Sequence, residues 1–197
     1  SEIWDDFRKG SRSALVYIYQ VFGDDLFTYG FQFSKDKDAV KDYIQDLFLN
    51  LNNNSSKLGP TNSIKFYLYR SLRRLIAKET KKNGFLSLFS KSEYGYFDID
   101  ISQETLLIKE EDKAWQLLRL KEAIDKLPLR QKEIIYYFFY EGFSYKEIQS
   151  IMGYKDINTV RKLQYRAIKS LRADLGGGSS ITTKEIPALI FILFQFI

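Results

Sequence analysis

Cysteine and histidine are both absent from the 197 residues. Disulfide frameworks and thiolate nucleophiles are therefore impossible, and a zinc site would lack its two favoured ligands. Ser-His-Asp and Cys-His catalysis cannot be assembled, and no imidazole can shuttle protons. An enzyme built from this chain would depend on carboxylates, Lys, Tyr or a bound ion. Proline is scarce at 3 and glycine moderate at 11, so helix breakers are few and an all-α protein is expected. Long apolar stretches are missing too. Trp4-Asp5-Asp6 interrupts any N-terminal apolar run, and the one extended run, residues 186–197, falls short of the roughly 20 residues of a spanning helix. We expect a soluble, cytoplasmic chain with no signal peptide and no membrane span.

Charge and aromatic rings are plentiful. Lys and Arg total 30 against 25 Asp and Glu, a net charge of +5, beside 16 Phe, 14 Tyr and 2 Trp. In the first segment, Leu15, Ile18, Tyr19 and Phe22 have helical spacing, and Gly23-Asp24 reads as an interruption. Ser34 is placed to cap the next helix, in which Val40, Tyr43, Ile44, Leu47, Phe48 and Leu51 recur at steps of three and four. Its other face carries Asp38, Lys41, Asp42, Gln45 and Asp46, and Asn52-Asn53-Asn54 reads as a polar break. A third helix follows Gly59-Pro60, with Ile64, Tyr67, Leu68, Leu72, Leu75 and Ile76 as its apolar stripe.

That third helix is one-sided in charge. Lys65, Arg70, Arg73, Arg74, Lys78, Lys81 and Lys82 face a single acid, Glu79, and Tyr69 lies among them. A basic face holding an aromatic ring can neutralise phosphates and stack on an unpaired base. The alternative is a solvated helix face. Residues 85–111 have no clean period, and acids dominate from Glu93 to Asp112. They read as an irregular connector whose Phe and Tyr residues dock on something.

The segment from Asp112 to Leu175 is punctuated most clearly. A helix carrying Trp115, Leu118, Ala123 and Ile124 ends at Leu127-Pro128, and another runs from about Leu129 to Glu141, before Gly142. Ser144-Tyr145-Lys146-Glu147 is a capping box opening a short helix that Gly153 closes. Asp156 or Asn158 caps a last helix bearing Arg161, Lys162, Arg166, Lys169 and Arg172. A short helix, a tight glycine turn and a basic helix form a helix-turn-helix, whose second helix meets base edges in the major groove. Arg161, Lys162, Tyr165 and Arg166 are placed for that contact; the alternative is a basic helix in an ordinary bundle. After Gly176-Gly177-Gly178-Ser179-Ser180 comes an apolar tail with Ile190, Phe191, Leu193, Phe194 and Phe196. Left exposed it would aggregate, so it docks on this chain, on a partner or on a membrane surface.

Three runs in this sequence, Leu127-Pro128-Leu129-Arg130-Gln131-Lys132-Glu133-Ile134, Tyr140-Glu141-Gly142-Phe143-Ser144-Tyr145-Lys146-Glu147-Ile148 and Asn158-Thr159-Val160-Arg161, closely resemble region 4 of bacterial sigma factors of the extracytoplasmic-function (ECF) type. The runs Asp38 to Phe48 and Tyr67 to Arg74 resemble the core-binding helix and the following helix of their region 2. The resemblance covers about residues 5–83 and 112–173. It implies a region 2 domain at 1–84, a connector at 85–111, a region 4 helix-turn-helix domain at 112–175, and a hinge with apolar tail at 176–197. It also implies an initiation factor without catalysis, cofactor or metal, acting with core RNA polymerase on promoter DNA. Asp42, Gln45, Asp46 and Phe48 match the polymerase-contacting positions. Lys65, Tyr69, Arg70, Arg73, Arg74 and Lys78 would hold the melted −10 strand. Asn158, Thr159, Arg161, Lys162, Tyr165, Arg166 and Lys169 would face the −35 element. An anti-sigma factor, a recruiting protein, polymerase or the chain's own domains are candidate docks for the tail.

Three other readings have definite marks. A helix-turn-helix regulator acting without polymerase would footprint DNA alone. A carboxylate-metal enzyme would use Asp38, Asp42 and Asp46, which share a helix face. A membrane-tethered protein would leave vesicles once residues 181–197 are removed.

Overall fold

A computed structural model describes residues 1–82, 96–99, 111–175 and 185–194. Those residues are helical or irregular, with no strand among them, and the chain divides into two units, Ser1–Tyr96 and Phe97–Ile197. Most of the expected connector, the glycine hinge and Phe196 lie outside the described residues.

The first unit comprises α1 (Glu2–Arg8), α2 (Arg12–Phe31), α3 (Lys37–Asn54) and α4 (Ile64–Lys82). Helix α2 runs unbroken through Gly23 and Asp24, contrary to the expected interruption. A mid-helix glycine costs about 1 kcal/mol, and burial of Ile18, Leu26 and Tyr29 on either side outweighs it. Asp36, not Ser34, caps α3: its carboxylate accepts from the Asp38 and Ala39 backbone N–H groups at 3.0 and 3.2 Å. Ser34 Oγ instead accepts from the Asp36 N–H at 3.2 Å, shaping the turn before the cap. The three asparagines lie within α3, where the Asn54 side chain donates to the Asn50 carbonyl at 2.9 Å. Helices α2, α3 and α4 pack on one another. Gly30 allows the closest approach, since a Cβ there would meet Val40 Cγ1 at 2.8 Å. Helix α1 is latched to the loop before α4: Trp4 Nε1 donates to the Gly59 carbonyl at 2.9 Å and Arg8 Nε to that of Leu58 at 2.6 Å.

The second unit comprises α5 (Glu111–Asp125), α6 (Leu129–Ile135), α7 (Tyr145–Met152), α8 (Ile157–Leu175) and α9 (Ile186–Phe194). The expected helix to Glu141 changes pitch at Tyr136–Tyr140, a π-helical turn, and the Glu141 N–H reaches the Tyr136 carbonyl at 3.1 Å. Helix α8 packs on α5, α6 and α7 through Val160, Ala167, Leu171 and Leu175. On α5 the core face is Leu117, Leu120, Ala123 and Ile124, whereas Trp115 and Leu118 are exposed. Phe97 and Ile99, within the expected connector, are buried. The Phe97 ring meets Tyr136 edge-on at 5.6 Å, and Asp98 pairs with Lys132 at 3.6 Å. Part of that segment thus seals the second unit. The tail docks there as well: α9 lies against α5 and the π-helical turn, burying Ile186, Leu189, Ile190 and Leu193 and leaving Phe191 exposed. No helix among the described residues is long and apolar enough to cross a membrane.

Candidate nucleic-acid and polymerase interfaces

The helix-turn-helix is built by local bonds. The Ser144 backbone N–H donates to Glu147 Oε2 at 2.8 Å and the Glu147 N–H to Ser144 Oγ at 3.4 Å, the reciprocal box expected from S-x-x-E. Gly153 ends α7 at φ +71°, a left-handed conformation that side-chain-bearing residues resist. The Gln149 amide then donates to the Tyr154 and Lys155 carbonyls at 3.2 and 3.1 Å and pins the turn. Asp156 caps α8, accepting from the Asn158 N–H at 3.0 Å.

This frame leaves a polar face on α8. Asn158, Arg161, Lys162, Arg166 and Lys169 are exposed, Thr159 is half-buried, and Tyr165 is 65% exposed. Lys162, Arg166 and Lys169 follow one another at steps of four and three, as do Arg161 and Tyr165 at four, so the bases share adjoining stripes.

Helix α4 corrects the sequence expectation. Its buried stripe is Leu68, Tyr69, Leu72, Arg73, Ile76 and Ala77, a face turned toward Tyr69 and Arg73. Tyr69 is 1% exposed, stacks on Tyr29 at 4.5 Å, and donates its hydroxyl to the Asp25 carbonyl at 3.4 Å. Arg73 is equally buried. Neither side chain faces solvent, because α4 is packed by both α2 and α3; Tyr69 is a core ring here, not a surface for an extruded base. Lys65 leans over the Tyr69 ring at 5.6 Å and pairs with Asp25 at 3.9 Å. Arg74 and Lys78 are exposed and Arg70 half-buried. Arg70 Nε is buried without an acceptor among the described residues. Burial, then repulsion by Arg74, lowers the Arg70 pKa. Two crowded guanidiniums, one losing hydration, would gain from a phosphate.

On α3, Asp42, Gln45 and Asp46 are exposed and Phe48 is half-buried against Tyr19, ring centroids 5.1 Å apart. Gln45 and Phe48 line a groove of 910 Å³ between α2 and α3, with Val16, Tyr19 and Leu49 on its apolar walls. Burial, then the charges of Glu79, Asp36 and Asp42, raise the Tyr43 pKa above 10.0. No group of three or more acidic, His or Cys residues among those described could hold a metal, and Asp38 is engaged with Lys41 at 3.1 Å.

Comparison with known proteins adds to this geometry. Residues 117–171 match the family described as sigma-70, region 4. RNA polymerase sigma factor SigV of Bacillus subtilis is 25% identical over 168 residues, covering 85% of this chain and 95% of SigV. ECF RNA polymerase sigma factor SigX of the same organism is 22% identical, covering 79% and 80%. Over most of its length this chain is similar to ECF-type sigma factors, and residues 117–171 carry the match to their region 4. Its fold resembles that of CnrH, in a structure with the cytosolic domain of CnrY, at a TM-score of 0.57, 17% identity, and coverage of 90% and 97%. It also resembles RpoE bound to the anti-sigma factor NepR from Bartonella quintana, at 0.55, 22%, and 81% and 94%.

Sequence reasoning missed Tyr145, Gln149, Gln164 and Phe138 as supports of α8 and the turn before it. Gln164 shares a face with Arg161 at three residues' spacing, which was visible. Its partner on another helix was not.

Proposed function

We propose that this chain is an ECF-type sigma factor that directs core RNA polymerase to promoters, with α8 in the major groove of the −35 element and the outer face of α4 on the melted −10 strand. The observation that carries the reading is the row of exposed bases on α8, held by a capped and pinned helix-turn-helix within residues matching sigma region 4. Arg161 and Arg166 are suited to guanine O6 and N7, a pairing worth about 1–3 kcal/mol against a wrong base. On α4 the strand-holding set reduces to Arg70, Arg74 and Lys78, with Lys65 at its margin; Tyr69 and Arg73 serve the core. Opening a duplex costs roughly 1.4 kcal/mol per base-pair step. Phosphate contacts offset part of that cost, and polymerase binding supplies the rest.

The groove beside Gln45 and Phe48, flanked by Asp42 and Asp46, is the proposed polymerase contact. It combines apolar walls with exposed polar groups, as the centre and rim of protein interfaces do. An anti-sigma factor or another recruiting protein is a proposed regulator, by analogy with the complexes of CnrH and RpoE. Action on promoters places the chain in the cytoplasm. It needs no cofactor, because the polymerase performs the chemistry.

In vitro transcription with core polymerase on a promoter library, with and without the chain, tests the whole reading. Chain-dependent transcripts should start downstream of two separated elements. A chain that never joins polymerase and footprints DNA alone would sink it. Changing Gln45→Ala together with Asp46→Ala should reduce polymerase recovery in a pull-down while unfolding shifts by no more than about 0.5 kcal/mol.

A further inference from the structure

Tyr145 is the first residue of α7, directly after the capping Ser144, so its backbone is held by the Ser144–Glu147 box. From there its side chain crosses to α8 and touches two residues at once. The phenol donates to Gln164 Oε1 at 2.6 Å. The Arg161 guanidinium lies over the ring, 5.5 Å from its centroid. The Phe138 ring supports Tyr145 by stacking at 5.2 Å with 30° between planes. Arg161 and Gln164 are three residues apart, hence neighbours on the α8 surface.

Both residues belong to the types that read base edges. Long side chains normally lose rotamer freedom when they bind, which weakens binding. Here one tyrosine has already restricted both. The structure places the phenol against the Gln164 carbonyl oxygen. With the phenol on Oε1, the Nε2 donors turn away from Tyr145. An amide presenting its donor suits an acceptor edge, guanine O6 or N7 or thymine O4. The adenine edge requires donor and acceptor together.

We propose that Tyr145 is a positioning residue for promoter reading: it orients Gln164 as a donor beside Arg161, making Gln164 a specificity determinant at one −35 position. This rests on the assignment of α8 to the −35 groove. The ring's contact with Arg161 orients the guanidinium plane, and the phenol's bond holds the amide in place, so the two parts of the side chain have separable effects.

The test uses the full chain with core polymerase and a library randomised across the −35 element, with the −10 element held constant. Wild type, Tyr145→Phe, Gln164→Leu and the double variant are compared by sequencing their transcripts. Tyr145→Phe keeps the ring and removes the hydroxyl. It should flatten the preference at one −35 position by about three- to tenfold, the size of one net hydrogen bond. Gln164→Leu should flatten the same position, and the double variant should match Gln164→Leu. A Tyr145→Phe profile superimposable on wild type overturns the positioning role, as does a loss spread evenly over all positions. Gln164 is a half-buried helix-surface residue, so the Gln164→Leu arm still reads that position if Tyr145→Phe weakens the fold. A wild-type chain without any upstream preference overturns the −35 assignment as well. An intact wild-type motif with unchanged variants overturns only the inference.

Discussion

Helices α4 and α8 have nearly the same chemistry, each being a long helix with several Lys and Arg and a tyrosine among them. Their surroundings differ. Tyr69 on α4 is 1% exposed and Tyr165 on α8 is 65% exposed. Arg73 is buried while Arg166 is open. The reason is packing. Helix α4 buries two adjoining stripes, Leu68, Leu72 and Ile76 beside Tyr69, Arg73 and Ala77, so its core face is wide and takes in residues that composition would send outward. Helix α8 turns Val160, Ala167, Leu171 and Leu175 inward and leaves its basic stripes clear. A count of basic residues therefore identifies candidate nucleic-acid helices but does not separate the residues that hold the domain together from those that meet DNA.

The largest expected effect tests that contrast directly. Tyr69→Ala should destabilise the first unit by about 3–5 kcal/mol, as deletion of a large buried ring does. Tyr165→Ala should stay within about 0.5 kcal/mol, as surface changes do. Denaturant unfolding checks both, and equal values would erase the distinction. Next, Arg166→Ala should lower the transcript ratio between matched and mutated −35 promoters by about 1–3 kcal/mol equivalent. An unchanged ratio would remove Arg166 from the groove.

Smaller effects sharpen the picture of α4. Arg70→Ala, measured with polymerase on a template having a single-stranded −10 segment, should reduce the salt slope of binding by about 0.7 for one lost phosphate contact. A slope that does not change would leave Arg70 structural. The smallest effect belongs to Tyr43. Its pKa is raised in the folded state, mainly by burial and then by Glu79, Asp36 and Asp42. The unfolded chain thus loses that proton first as pH rises past 10.0. Stability from the neutral phenol is complete below that pH and declines above it, through the folded value. Tyr43→Phe should flatten this alkaline decline in pH-dependent unfolding. An identical decline in the variant would assign it to other groups.

The helix-turn-helix was legible because its determinants are local. Ser144 and Glu147 are three residues apart, Gly153 marks a left-handed stop, and the bases of α8 recur at helical spacing. The limits of α2 and α3 were less so. Burial of Ile18, Leu26 and Tyr29 kept α2 intact across Gly23, and Asp36 supplied the cap where Ser34 had been expected. The tail was open between several docks. In the structure its apolar face closes on α5 and the π-helical turn.

Helix periodicity, the stop residues and the one-sided charge of two helices were set by the order of amino acids, because hydrogen bonding and amphipathic spacing act within a few positions of the chain. The burial of Tyr69 and Arg73, the bridge from Tyr145 to Gln164 and Arg161, and the seat of α9 were decided only by tertiary packing. Each depends on which helix lies against which, and short-range spacing does not encode that.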